Sequence, residues 1–297
     1  MPPQVGVLTP SWWPPDGSDP VPLNPDGAAH ITLDAWSGVT GAAPVRVTTD
    51  PRLRGGVHVR HVQPQARTII WPLRFRALTH MGLVVPWREM ARKFAMTRRH
   101  GPGRLRIDRP DGTAREIEAW YEGGFDGEPG QGWLEDTAVL QLLCPDPYWR
   151  DLTVRSVSRS HAEGVDFYQP FLGVSRGAVL GETTIHNSGS VEAWPEWEIT
   201  GPAALVTATN HSTGEEFVLA PDWDGDGPLA AGQTVTVTTD PPGVIGPNGE
   251  VWTGALNWPD ASLWGLAPGR NDVEFQVDGS DEGTNIRLSW RTRHETP

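Results

Sequence analysis

An apolar stretch that runs into two prolines near the middle of the chain constrains the fold more than any other feature. Residues 139–144 have the composition of a buried strand, and Pro145-Asp146-Pro147-Tyr148-Trp149 follows directly. Each proline fixes its own φ and lacks an N–H, and the residue before each is pushed to extended geometry. We therefore predict that a domain's last strand ends here. The corner of Pro145, Pro147, Tyr148 and Trp149 then leads into the next domain, with the two aromatic rings as anchors.

The two halves of the chain differ in charge, which supports a domain boundary at this corner. A length of 297 residues suits about two domains. Residues 1–150 contain 17 basic and 16 acidic side chains, whereas residues 151–297 contain 7 and 21. The acidic half repels phosphate groups, so we expect no binding to nucleic acid or to anionic membranes through it. The near-neutral half is rich in arginine, whose forked guanidinium suits carboxylates at protein interfaces.

The composition predicts a mainly β protein. The chain has 34 glycines, 29 prolines and 15 tryptophans, as expected for a loop-rich fold with large aromatic anchors. A single cysteine, Cys144, excludes an internal disulfide, and we interpret it as a small buried hydrophobe. No apolar run reaches the roughly 18 residues of a membrane span, and the start lacks the regions of a signal peptide. We expect a protein made in a cytoplasm, without membrane insertion or a cofactor.

The first half divides into an arm and a β domain. Residues 1–29 are rich in proline and predict an extended arm with turns, either a flexible terminus or a segment anchored on a neighbouring subunit by Trp12 and Trp13. Residues 30–150 form short alternating runs broken by proline and glycine, which is typical of strands. The pattern of residues 85–99 predicts the single helix, with a proline near its start and cations at its end.

The second half predicts a β-sandwich after a connecting segment. Residues 151–180 carry few periodic signals and are expected to be a linker or irregular segment. From residue 181 to residue 297 short strands recur with alternating Thr and Val, which indicates two antiparallel sheets. In residues 234–239 the valines face one way and most threonines the other, as on a sheet with one buried face.

The order of several short motifs resembles a known family. A helix with a basic end is followed by Gly101-Pro102-Gly103-Arg104-Leu105, by a Pro110-Asp111-Gly112 hairpin and by the corner. Beyond the corner, Asn187-Ser188-Gly189 precedes Pro195 through Gly201. This order, over residues 30–292, resembles the distal tail proteins of long-tailed bacteriophages, especially minor tail proteins of phages of actinobacteria.

The resemblance implies a structural role in a virion. It implies a tail-tube-like N-terminal domain that forms a ring, usually hexameric, and a galectin-like C-terminal β-sandwich that serves host-adsorption parts. The implied partners are further copies of the chain, the tail tube protein, the tape measure protein and other tail-tip or receptor-binding proteins. The implied location is the tail tip, and no catalysis is implied.

One acidic segment resembles half of a calcium loop. Asp222, Asp224 and Asp226 occupy alternate positions and are followed by Gly227. A calcium loop places oxygen ligands at positions 1, 3 and 5, which is the same spacing. The twelfth position is Gln233 rather than a glutamate, and a strand rather than a helix follows. An acidic β-turn is therefore the competing interpretation.

The alternative function is a non-catalytic carbohydrate-binding module for host cell-wall glycans. Trp223, Trp252 and Trp258 lie in predicted loops and are the candidates for such contacts, whereas Trp194, Trp197, Trp264 and Trp290 are expected in the sandwich core. A glycoside hydrolase ranks third, since any acidic β protein supplies carboxylate pairs.

Two further motifs carry little weight. The stretch from Gly173 through Ser175 to Gly177 matches the nucleophile elbow of hydrolases, but the helix that must follow is not predicted. His58 and His61 are three residues apart, and in a regular strand they would point to opposite faces, which disfavours a metal site.

Overall fold

The computed structural model describes residues 8–24, 30–33, 36–130, 134–161 and 177–297, with side chains omitted at 177–180. The chain divides into two compact units. The first unit comprises the residues up to Leu152 together with His294–Pro297, and the second comprises Thr153–Arg293. Within the described ranges no helix is long and apolar enough to cross a membrane.

The first unit is mainly β, as predicted. Its strands are β1 Thr9–Trp13, β2 Val21–Pro22, β3 His30–Thr32, β4 Val45–Pro51, β5 Val57–Pro64, β6 Arg67–Arg76, β7 Gly103–Asp108, β8 Ala114–Gly123 and β9 Glu135–Cys144. Strand β10, Trp149–Ser160, begins in this unit and continues into the second. Two helices, α1 His80–Ala95 and α2 Thr97–His100, lie between β6 and β7.

The main sheet of this unit has the order β3-β6-β9-β8-β7-β1-β2, and all these pairs are antiparallel. On β6 the side chains of Ile69, Trp71, Leu73 and Phe75 are fully buried, whereas Arg74 and Arg76 lie on the opposite face. This confirms the alternation predicted from the sequence, because successive strand residues point to opposite faces.

The predicted helix begins earlier than expected. It was predicted over residues 85–99 with Pro86 near its start, but α1 begins at His80, so Pro86 lies inside it. The hydroxyl of Thr79 caps the helix by accepting a hydrogen bond of 3.1 Å from the backbone N–H of Gly82. Burial of Leu83, Trp87 and other apolar side chains offsets the hydrogen bond that Pro86 cannot donate.

Part of the expected N-terminal arm is instead packed into the first unit. Strand β1 pairs with β7 over five residues, and the Trp12 side chain is fully buried. Its ring stacks on Phe94 with the ring centroids 4.5 Å apart. The proline-rich composition did not predict strand β1. Such a stretch can still form an edge strand when a neighbouring strand supplies its backbone hydrogen-bond partners.

The second unit is a sandwich of two antiparallel sheets. Its strands, besides the end of β10, are β11 Gly177–Asn187, β12 Glu196–Thr200, β13 Leu205–Asn210, β14 Glu215–Leu219, β15 Thr234–Thr239, β16 Pro242–Ile245, β17 Gly269–Asp278 and β18 Asn285–His294, the last of which ends in the first unit. One sheet has the order β16-β15-β12-β18-β10 and the other β11-β17-β13-β14. Within the segment expected to be irregular, β10 extends to Ser160 and β11 begins at Gly177.

The core of the second unit lies between these sheets. Trp197 meets Trp264 edge to face with ring centroids 4.6 Å apart, and it packs in the same way on Phe217 and Phe275. Val235 and Val237 are fully buried, which confirms the predicted alternation in β15. Of the four tryptophans expected in the core, Trp194 is 36% exposed, since it precedes β12 rather than lying within it.

Candidate interaction surfaces

The proline corner follows β9, but the prediction that it leads directly out of the domain was wrong, because β10 begins at Trp149 and pairs with β8 within the first unit. Trp149 is fully buried in the core of that unit. Pro147 is buried, Tyr148 is half-buried and Pro145 is exposed. The backbone N–H of Tyr148 donates to the Asp146 carboxylate over 3.3 Å. Trp149 is thus a core residue of the unit that contains it, and its removal would cost that unit stability.

A buried arginine binds the corner, and sequence reasoning did not identify it. Arg67 is only 2% exposed. Its Nε donates to the Pro147 carbonyl oxygen over 2.8 Å, Nη1 donates to the Gly41 carbonyl over 2.8 Å, and Nη2 donates to the Glu295 carbonyl over 2.9 Å. Burial lowers the pKa of Arg67 from its usual value, and the negative potential of nearby groups opposes that shift. A periodic pattern cannot reveal this role, because the acceptors are backbone groups distant in sequence.

Strands β4 and β5 form a separate two-stranded sheet, here called the ribbon, and its residues are almost all exposed. Directly paired residues of an antiparallel ladder share a face. The pairs Val47 with Val62 and Thr49 with Val59 therefore share one face. The valines of this apolar face, each about half exposed, are Val45, Val47, Val57, Val59 and Val62.

The opposite face of the ribbon is polar. Thr48 pairs with His61 and Asp50 pairs with His58, and Arg60 forms an ion pair with Asp50. His58 and His61 thus share a face, contrary to the prediction for a regular strand. The register shifts by one residue between Thr48 and Thr49, so that Arg60 is the extra residue of a bulge in β5 and the alternation reverses there.

The three loop tryptophans of the second unit gather around the 3-10 helix Thr253–Ala255. The Trp258 indole N–H donates to the Thr253 carbonyl oxygen over 2.9 Å. The Trp223 ring covers Gly254 so closely that a Cβ there would lie 2.7 Å from it. Trp252 directly precedes the helix and is half-buried against the core. Trp223 and Trp258 are 44% and 52% exposed, so they are available for contacts.

The acidic segment forms a turn that is held by its own carboxylates. Asp222 Oδ1 accepts from the Gly227 N–H over 2.8 Å, and Asp224 Oδ1 accepts from the Asp226 N–H over 3.2 Å. Among the described residues, no set of three ligand atoms within 4.8 Å of one another forms at this turn. The arrangement favours the β-turn interpretation, since carboxylates bound to turn amides stabilise such a turn.

Cys144 lies within the described residues, whereas most of the elbow-like motif does not. Cys144 is fully buried, and burial raises the pKa of its thiol to about 12. The thiolate that reacts as a nucleophile is therefore disfavoured. Residues 173–176 of the elbow-like motif lie outside the described residues.

Comparison with known proteins shows the fold. Neither a protein-family model nor a curated protein matches the sequence. The crystal structure of SPP1 Dit, described as a paradigm of the hub adsorption apparatus in phages infecting Gram-positive bacteria, aligns with a TM-score of 0.65 at 13% identity, over 97% of this chain and 99% of that chain. A chain of the phage P2 baseplate in its activated conformation with Ca aligns with a TM-score of 0.54 at 8% identity, over 98% and 100%. The protein has the fold of these phage hub and baseplate proteins.

Proposed function

We propose that the protein is a structural component of a bacteriophage tail tip, in which the first unit assembles into a ring with further copies of the chain. The exposed apolar face of the ribbon is the observation that supports ring formation. The match to SPP1 Dit over 97% of the chain supports the tail-tip role. Fold alone does not define function, so the proposal depends on a surface that requires a partner.

The ribbon requires that partner for a physical reason. An isolated two-stranded sheet is marginally stable in water, and this one also exposes five valines on one face. A contiguous apolar surface of this kind marks a protein contact. A second copy is the occupant that suits a repeated head-to-tail contact, which closes into a ring when the rotation between copies allows it.

The remaining partners follow from the same role. The ring, proposed as a hexamer, would join the tail tube protein and the tape measure protein to receptor-binding parts of the tail tip, and the second unit would be a galectin-like platform for them. The actinobacterial host stays a prediction from the sequence motifs. Contact of Trp223, Trp252 and Trp258 with host glycans also stays a prediction.

A charge-paired substitution in the ribbon tests the ring. Val47→Glu combined with Val62→Lys replaces one directly opposed apolar pair by an ion pair, which preserves the ribbon and removes part of its apolar face. We expect native mass spectrometry and negative-stain imaging to show rings for the natural chain and monomers for this variant.

The neighbouring pair provides a matched control. Thr48→Glu combined with His61→Lys introduces the same charges on the polar face of the ribbon, and this variant should still form rings. A natural chain that is monomeric at every concentration, alone and with tail-tube protein, would refute the ring. Equal assembly of both variants would instead remove the ribbon from the interface.

A further inference from the structure

We propose that the second unit binds a divalent transition-metal ion between Glu182, His211 and Glu274, on the outer face of the sheet β11-β17-β13-β14. One ligand atom from each residue lies within 4.8 Å of the other two. A small rotation of these side chains would bring all three atoms to about 2.0–2.2 Å from one ion. The proposal does not depend on the tail-tip role.

The strand register places two carboxylates against each other. Glu182 on β11 is directly opposite Glu274 on β17, so both side chains point to the same face of the sheet. Like charges directly opposite one another destabilise a ladder. Within the described part of the chain, the Glu182 carboxylate receives no hydrogen bond and no ion pair from a protein group. The opposed pair therefore lacks a positive charge on the Glu182 side, which a bound cation would supply.

The third ligand comes from the end of the adjacent strand. His211 directly follows β13, and its backbone N–H donates to the Asp272 carbonyl of β17 over 2.8 Å. This hydrogen bond fixes the residue beside the carboxylates, and its ring Nε2 lies 2.9 Å from Glu274 Oε2. Two paired strands and the first residue of the turn after a third strand thus hold the three ligands.

The surroundings leave room for further ligands. A depression of about 460 Å³ is lined by two of the proposed ligands, Glu182 and His211, together with Thr183, Thr184, Arg270, Asp272 and Val273. Arg270 is engaged by Asp272, to which its Nε donates over 2.9 Å. Three protein ligands and an open position match the arrangement in which a metal retains water or a second molecule.

The ligand set selects the class of ion. One imidazole nitrogen and two carboxylate oxygens suit Zn²⁺ and its neighbours among the divalent transition metals. Ca²⁺ requires six to eight oxygen ligands and is poorly served here. Zn²⁺ is therefore the probe, and Ca²⁺ is the negative control.

The test uses the full chain after removal of metal by a chelator. Zn²⁺ at ten times its dissociation constant should raise the melting temperature of the second unit by about 3 °C, and equilibrium dialysis should show one ion per chain at this site. Glu182→Gln should weaken this binding at least tenfold. In the absence of metal, the same variant should melt no lower than the natural chain, because the substitution removes the repulsion with Glu274.

Two further variants complete the design. His211→Gln should lose the zinc-induced shift. Glu216→Gln removes a carboxylate from the same face of the sheet, one that accepts from the Thr209 hydroxyl over 2.8 Å, and it should keep the shift. Failure of Zn²⁺ to raise the melting temperature would overturn the proposal. An equal shift in Glu182→Gln and the natural chain, or one produced equally by Ca²⁺, would also overturn it.

Discussion

Arg67 shows how one residue can join segments that are far apart in sequence. Its guanidinium donates to carbonyl oxygens near residue 40, at the corner and near the end of the chain. An arginine offers five donors in a planar fork, whereas a lysine offers three on one atom. The site is buried, so any carbonyl that loses its donor is left without water to replace it.

Arg67→Lys should destabilise the first unit by about 2 kcal/mol or more, because several hydrogen bonds from a charged donor are lost in a buried site. Urea unfolding measures this loss of stability, and hydrogen exchange of the β6 and β9 amides locates it in the first unit. Arg74→Lys on the same strand is the control. Arg74 forms a partly exposed ion pair with Glu135, so its replacement should cost under about 1 kcal/mol. Equal costs for the two variants would contradict the proposed role of Arg67.

Helix α1 shows how elements depend on both local caps and distant packing. A proline inside a helix removes a hydrogen bond and strains the preceding turn, so on local grounds the helix should begin near Pro86. It begins at His80 because Thr79 caps it and because its apolar face is buried against the sheet. The Thr79 hydroxyl therefore contributes directly to the stability of the first turn.

Thr79→Ala should destabilise this turn by about 1 kcal/mol, since an exposed N–H of the first turn loses its acceptor. Hydrogen exchange at the Gly82 amide should accelerate, and the melting temperature of the first unit should fall by about 2–4 °C. Thr79→Ser retains the hydroxyl and should behave like the natural chain. A similar loss in the serine variant would show that the methyl group, and not the cap, matters.

At the scale of the whole molecule, the chain passes between the units twice. Strand β10 leaves the first unit, and the last residues, His294–Pro297, return to it. Arg115 donates to the Thr296 carbonyl over 2.8 Å, and His294 Nε2 lies 3.1 Å from Asp151 Oδ1. The integrity of the first unit thus depends on residues from both ends of the chain.

The environment of His294 predicts that the stability of the first unit depends on pH. Burial, aided by the positive charge of Arg115, lowers the pKa of His294 below its usual value of 6.5, although Asp151 opposes the shift. The unfolded chain then binds the proton more tightly than the folded chain, so stability is full above about pH 6.5 and is lost as the pH falls. Burial also lowers the pKa of His30, which acts in the same direction.

The melting temperature of the first unit should therefore fall as the pH is lowered from 7 to 5. In His294→Gln this fall should be smaller, and the part that remains is attributed to His30. This window lies above the range in which carboxyl groups titrate. His100→Gln changes an exposed histidine of the same unit and serves as the control. An identical slope in the natural chain and His294→Gln would show that this histidine is not responsible.

The sequence by itself determined the mainly β class, the position of most strands and the presence of a corner after β9. These features depend on local rules, namely the two-residue alternation of strands and the fixed φ of proline. The tertiary structure alone decided which partners those strands find. It placed Trp12 in the core, reversed the face of His58 through a bulge and gathered carbonyl groups around Arg67. It also set Glu182 against Glu274 beside His211. The register and the pairing of strands distant in sequence are set by the packing of the whole chain, so the local alternation of residues does not specify them.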